Sequence, residues 1–182
     1  MVVKLLLEIA GKTVKNAAEK GVSQAQAIVF LIDKMLTRFA NSQVHQNVAI
    51  RDGGILVKIV LHDKKIGVFR ISTLEEIEIG NAVDQAIKVA KATQPNEDFK
   101  SLPEPEPWTA IEGAFDKETA SCMPEYHAQK VKEAIETAHS KSPMVKAVAG
   151  YISTDSISFA VANSLGVSSS AQLTTASMKT TV

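Results

Sequence analysis

The chain has 182 residues and carries 20 lysines and arginines against 20 aspartates and glutamates, so its formal net charge is zero. That balance provides no broad basic surface for nucleic-acid phosphates, and no stretch approaches the ~20 apolar residues of a membrane-spanning helix. The single cysteine, Cys122, excludes an intrachain disulfide and fits a reducing compartment. We therefore expect a globular, cytoplasmic protein.

The first part of the chain predicts a helix followed by strands. Apolar residues recur at helical spacing from Val3 to Gly21, which predicts an amphipathic helix that ends at the glycine. Asp52-Gly53-Gly54 predicts a tight turn, and Asp63-Lys64-Lys65 predicts a second short connection. Such short connections force antiparallel neighbours, so the strands form a meander. The predicted strands are residues 27–33, 36–40, 44–51, 55–62 and 66–71.

A second helix and a connector follow the meander. Thr73 and Glu76 have the spacing of a capping box, and the helix that they open should end near Thr93. Residues 95–108 contain four prolines and no periodicity, which predicts an extended connector. We expect this connector to be partly ordered by the packing of its large apolar side chains, which are Phe99, Leu102 and Trp108.

The last part of the chain predicts one more helix and then strands. The helix should cover residues 125–140, with Pro124 at its start and one apolar stripe facing inward, namely Ala128, Val131, Ile135 and Ala138. Strands are predicted at residues 145–153 and 157–162, and from Val167 after a turn at residues 163–166. The strands and helices do not alternate regularly, so we predict an α+β fold, an antiparallel β-meander with packed helices in two layers.

Three segments describe the predicted organisation. Residues 1–94 form a helix–meander–helix half, residues 95–109 form the proline-rich connector, and residues 110–182 form a helix with strands. We expect the last segment to join the first half in one domain.

No catalytic or metal-binding motif is present in the sequence. Zinc-peptidase helices place two histidines on adjacent turns, whereas His127 and His139 are twelve residues apart, about 18 Å along a helix. We therefore interpret both as solvated helix residues. Cys122 has no histidine at a useful spacing, so we interpret it as an inert thiol. No catalytic residue and no metal ligand are assigned.

A polar strand is the candidate binding surface. Alternation places Gln43, His45 and Asn47 on one face of the strand, with Asn41 in phase if the strand runs straight. Val44 and Val48 would then anchor the opposite face in the core. Amide-rich surfaces bind extended peptide backbone through hydrogen bonds, so this face is predicted to contact a peptide or a partner subunit. The competing interpretation is an ordinary solvated sheet face.

Several segments together resemble the N-terminal domain of the TldD/PmbA family. The residues that carry the resemblance are TRFANS at 37–42, VHQN at 44–47, Gly67-Val68, LPEP at 102–105 and VANSLG at 161–166. Their order and spacing extend over roughly the whole chain.

The resemblance implies a cytoplasmic protein related to zinc-dependent peptidases and to modulators of DNA gyrase. Subunits of this family pair around an enclosed chamber, and their roles include the maturation of ribosomally made peptides and the degradation of an antitoxin. The zinc ligands of the catalytic type belong to a His-Glu-x-x-x-His helix in a separate C-terminal metal-binding domain, which is missing here. No family catalytic residue can therefore be placed on this chain, and we expect it to be inactive alone.

The resulting expectation is a non-catalytic N-terminal domain of a TldD/PmbA-type metallopeptidase that serves proteolysis or peptide maturation. It would pair as a homo- or heterodimer with a TldD/PmbA-type subunit, engage a peptide substrate and hold no cofactor of its own. The alternative is a stand-alone binding module, or a homo-oligomeric assembly module that dimerises through the Ser/Thr-rich last strand. A DNA-associated role has no electrostatic support. The sequence leaves open whether the chain is truncated or naturally short, although an end inside a strand favours truncation. It also leaves open whether the chain is of the TldD-like or the PmbA-like type.

Overall fold

A computed structural model of the chain describes residues 2–109 and 111–182. It has the α+β architecture that the sequence predicts, with helices packed on one antiparallel sheet of five strands. The strand order in the sheet is β3-β2-β1-β4-β5. In chain order the elements are α1 (Val2–Glu19), β1 (Gln24–Ala40), β2 (Gln43–Val60), β3 (Ile66–Ile71), α2 (Ile79–Ala92), α3 (Lys117–Ala120), α4 (Pro124–Lys141), β4 (Ala149–Asn163) and β5 (Ser168–Thr181).

The strands are longer than the sequence predicts. β1 and β4 are each continuous where two shorter strands were expected, and β2 runs straight through the predicted turn at residues 52–54. The prediction of a turn there is wrong because the two glycines serve close packing instead. A Cβ on Gly53 would lie 3.2 Å from the carbonyl oxygen of Phe30, and one on Gly54 would overlap the carbonyl oxygen of Ile71.

The tight turn of the first hairpin lies at Asn41 and Ser42. Both residues have positive φ angles, 50° and 60°, in the left-handed region that Asn tolerates better than most residues. This turn joins β1 directly to β2, so the antiparallel pairing of the two strands begins at residues 40 and 43.

Helix α2 begins later than predicted. Thr73 accepts a hydrogen bond from the backbone N–H of Glu75 at 3.1 Å, and a 3-10 turn, Glu76–Glu78, comes before the helix. The capping-box prediction is therefore wrong, since the helix starts at Ile79 without a side-chain cap. The predicted end is confirmed, because Thr93 is the residue that terminates the helix.

The connector and α4 agree with the predictions in most respects. Residues 97–109 contain no helix or strand, and Leu102 is buried as expected. Trp108 is 55% exposed, so the expectation that it packs is wrong. The proline at the start of α4 is confirmed, whereas the short helix α3 is not predicted. No helix in the described part of the chain combines the length and the apolar character needed to cross a membrane.

The described chain divides into two compact units, and each unit is assembled from segments that are distant in the sequence. The first unit contains Met1–Leu31, Asp52–Ile111 and Ser158–Gln172, and the second contains Ile32–Arg51, Glu112–Ile157 and Leu173–Val182. Each unit therefore contains parts of the same long strands and has a core of its own.

The core of the first unit lies between helices and strands. Leu6 of α1, Val83 of α2 and Ile59 of β2 are fully buried in it, together with several alanines of the two helices. Small residues on α2 allow β3 to approach the helix closely, since Gly67 of β3 lies against the backbone of Ala86 and Ala90. Helix α2 thus combines buried side chains with close backbone packing against β3 at Gly67.

The second unit has a smaller core around α4. Val131 of α4 packs with Phe39 of β1 and Ile152 of β4, and all three side chains are buried. Ile135 and Ala138 add to this cluster from the same helix face, as predicted. Ala128 is exposed, contrary to the prediction, because the inward stripe begins one residue earlier, at His127.

Substituting Gly67 tests the close packing of β3 against α2. A Cβ at this position would overlap the backbone oxygen of Ala86 and the backbone nitrogen of Ala90. We expect Gly67→Ala to lower the free energy of unfolding by about 1–3 kcal/mol, the usual cost of overpacking. Urea denaturation measures the change. The matched control is Gly11→Ala in α1, where nothing lies within 4 Å of the new Cβ and stability should rise by about 0.5–1 kcal/mol. Equal stability of the two variants would contradict the packing.

Candidate functional site

The polar residues singled out from the sequence lie at the start of β2 and in the turn before it, within the second unit. Asn41 occupies the turn, so the prediction that it continues the strand in phase is wrong. Gln43, His45 and Asn47 alternate along β2, and all three are exposed. The structure therefore brings three of the four residues onto one strand face.

Asn47 is connected to the interior of the second unit. Its Oδ1 accepts a hydrogen bond from the Thr37 hydroxyl at 3.0 Å, and the same hydroxyl lies 3.3 Å from Nδ1 of His127. On the other side of the ring, Nε2 of His127 lies 3.3 Å from the hydroxyl of Thr154. The exposed polar strand and helix α4 are thus joined by one chain of hydrogen bonds.

His127 is fully buried, so its interpretation as a solvated helix residue is wrong. The physical reason is helical spacing, because His127 lies four residues before Val131 on the face of α4 that packs on the sheet. A buried imidazole requires partners for both ring nitrogens, and two threonine hydroxyls provide them. His139 is exposed, as predicted, and its Nε2 lies 3.0 Å from the Ser42 hydroxyl.

The hydrogen bond from Thr37 to Asn47 indicates which ring nitrogen of His127 is the donor. Thr37 uses its only hydroxyl proton to donate to Asn47, so it accepts from Nδ1–H of the imidazole. In the neutral ring the other nitrogen, Nε2, accepts from the hydroxyl of Thr154. Burial lowers the pKa of His127 below its ordinary value of 6.5, which agrees with a neutral ring.

The apolar face of the same strand is not buried as predicted. Val44 is 44% exposed and Ile50 is 47% exposed, while Val48 is only half-buried. The prediction that Val44 anchors the core is therefore wrong. Val44, Val48 and Ile50 therefore form an apolar stripe along one face of β2 that is at least partly exposed.

Two adjoining cavities lie in the second unit, of about 310 and 410 Å³. Both are lined by Thr119, Cys122 and Thr154, so they flank the segment between α3 and α4. The smaller cavity is more polar and includes Asp33 and Arg51. These cavities are not predictable from the sequence because their lining comes from five distant segments, and no local motif indicates that these segments meet.

An ion pair borders the smaller cavity. Nε of Arg51 lies 2.6 Å from Oδ1 of Asp33, and Nη2 lies 3.1 Å from Oδ2, which is a two-point contact. The hydrogen bond and the charge of Asp33 raise the pKa of Arg51 above its ordinary value. Because both side chains are well exposed, the pair orients Arg51 more than it stabilises the fold.

Comparisons with known proteins locate the fold. No protein-family model matches the chain, and no curated protein sequence matches it either. Among solved structures, TldE from Thermococcus kodakarensis superposes with a TM-score of 0.81 at 21% identity, over 93% of this chain and 38% of that one. The chain has a TldD/PmbA-type fold.

Two further structures with this TldD/PmbA-type fold are candidate modulators of DNA gyrase. The one from Bacteroides thetaiotaomicron has a TM-score of 0.82 at 14% identity and covers 95% of this chain and 40% of its own. The one from Thermotoga maritima has a TM-score of 0.76 at 19% identity, over 94% and 38%. The chain thus spans about 40% of the length of these proteins and corresponds to a partial domain of them.

The buried state of His127 predicts how stability depends on pH. Below about pH 6.5 the unfolded chain binds a proton at this residue, whereas the folded chain does not until its lowered pKa is reached. The free energy of unfolding should therefore fall as the pH is lowered from 7.5 to about 5.5. Urea denaturation at both pH values measures this fall, and His127→Gln should reduce it. An equal fall in the unmodified chain and in the His127→Gln variant would contradict the assignment.

Proposed function

We propose that the chain serves as a non-catalytic domain of a TldD/PmbA-type protein, pairing with another subunit and engaging a peptide substrate. The observation that supports this most directly is the exposed polar face of β2, formed by Gln43, His45 and Asn47. It belongs to a chain whose fold matches less than half of TldE and of the gyrase modulators. The single cysteine keeps the cytoplasm as the expected compartment.

Peptide engagement is supported by the chemistry of this face. Its amides and imidazole donate and accept hydrogen bonds without a fixed charge, so they suit peptide backbone rather than one type of side chain. Asn47 is already oriented by Thr37, which reduces the loss of side-chain entropy when a ligand binds. A surface of this kind fits a broad range of peptide sequences.

Zinc chemistry is not part of the proposal for this chain. Within residues 2–109 and 111–182, no three His, Cys, Asp or Glu side chains lie close enough together to hold a metal ion. These residues do not fit a zinc site, and no reaction step is assigned to them. Any zinc-dependent hydrolysis would need ligands from elsewhere, as in the catalytic type of the family.

A second candidate function is a homo-oligomeric assembly module. It is favoured by the position of β5 at an edge of the sheet, since edge strands can pair with a strand of another molecule. The two candidates differ in their ligand, which is peptide in the first and a further copy of the chain in the second. A DNA-associated role remains without support from the charge balance.

Alanine substitution on the polar face tests peptide engagement. The probe is a fluorescein-labelled, unstructured Ala/Ser/Thr peptide of about ten residues, long enough to match a strand. We expect Gln43→Ala with His45→Ala to weaken binding about tenfold, because each lost hydrogen bond contributes roughly 0.5–1.5 kcal/mol. Fluorescence anisotropy measures the affinity.

The control for this experiment carries the same two residue types on another surface. Gln129 is exposed on α4 and His62 is exposed after the end of β2, so Gln129→Ala with His62→Ala should leave the affinity unchanged. Thermal denaturation should show nearly the same melting temperature for both double variants, since the substituted side chains are exposed. Unaltered affinity in the Gln43 and His45 variant would argue that the face is only solvated.

A further inference from the structure

The outer edge of β2 is paired along only part of its length. β3 pairs with β2 from Ile55, opposite Ile71, to Val60, opposite Ile66. The preceding part of β2, residues 43–51, is bordered by β1 on one side, and among the described residues no strand borders the other side. We call residues 43–51 the edge segment. Its outward backbone N–H and C=O groups are available to another strand.

The edge segment lacks the features that normally prevent strand addition. Edges are commonly protected by lysine, by proline or by a bulge, but the edge segment contains no proline or lysine, and its one charged residue, Arg51, lies at its end. The segment also exposes Val44 and Ile50, at 44% and 47%. In contrast, the exposed half of β5 carries Lys179 in the strand. The edge segment is therefore the better surface for pairing.

We propose that a second copy of this chain adds to the edge segment as an antiparallel strand, related by a two-fold axis at Asn47. This inference rests on the subunit pairing proposed above and names the surface that performs it. The ladder places Asn47 of one copy beside Asn47 of the other, and Val44 of each copy beside Ile50 of the other. The five-stranded sheets of the two copies become one continuous sheet, so neither copy leaves this edge unpaired.

Self-complementarity favours a second copy over an unrelated peptide. In this register Val44 and Ile50, the exposed large apolar residues of the segment, pair with each other at two places in the ladder. Arg51, the only charged residue of the segment, lies beside the neutral Gln43 of the other copy, so no like charges are opposed. An isologous interface requires this kind of match of a surface with itself.

The oligomeric state tests the proposal directly. Sedimentation velocity up to about 0.5 mM, the range that a small interface requires, should show a reversible dimer. Ile50→Lys places a charge beside Val44 and should weaken the dimer at least about tenfold. The matched control is Val68→Lys on β3, where Val68 is 43% exposed but lies outside the edge segment. Its dimerisation should equal that of the unmodified chain.

Cross-linking tests the register. In a Cys122→Ser background, Asn47→Cys places two thiols on opposed residues whose Cα atoms lie about 4.5–5.5 Å apart, within disulfide range. The control Gln43→Cys separates the two thiols by eight residue steps, about 26 Å at 3.3 Å per residue. Oxidation should therefore cross-link the first variant and not the second.

Other outcomes would overturn the proposal. A strict monomer at every concentration, or a dimer that Ile50→Lys leaves intact, excludes the edge segment as a pairing surface. Equal cross-linking of the two cysteine variants excludes the register. The chain could also be a monomer that binds the labelled peptide and loses this binding in Ile50→Lys. That result would show that the edge segment pairs with an extended peptide. The peptide engagement proposed above would then stand, and the pairing with a second copy would be excluded.

Discussion

The pairing between β2 and β3 ends at Ile55, and the candidate surface depends on that limit. Backbone groups that no strand pairs must be satisfied by water or by another molecule. Because β3 is short and the edge segment is long, part of β2 presents its polar face, its apolar stripe and its outer backbone groups together. The same segment therefore offers hydrogen bonds to a peptide and a strand edge to a second copy.

A buried hydrogen-bond chain holds this segment in place. His127 connects Thr154 on β4 with Thr37 on β1, and Thr37 in turn orients Asn47. Each member has a partner, so the cost of burying these polar groups is offset. The polar strand is consequently supported by the sheet and by α4, which favours a preorganised surface rather than a mobile one.

Local patterns predicted the elements whose signals are local. Helical spacing located α1 and α4, and the turn before β5 was visible from its residues. Glycine was the ambiguous signal, since Gly53 and Gly54 allow close approach within a strand, as glycine does at bulges and packed backbones as well as in turns. The interpretation of His127 as solvated was wrong because it considered only the separation from His139, whereas the spacing to Val131, four residues later, determines the buried face. Local patterns could not predict the cavities, because only tertiary packing brings their lining residues together.

Amide hydrogen exchange along β2 tests the central claim, that the edge segment has an unpaired outer side. At a concentration where the chain is monomeric, exchange should be slow at the paired residues Ile55 to Val60 and should alternate between slow and fast in residues 43–51. Amides directed toward β1 should exchange slowly, and those directed outward should exchange rapidly. Uniform protection of residues 43–51 in the monomer would contradict the account, because it would mean that another part of the chain already covers this edge.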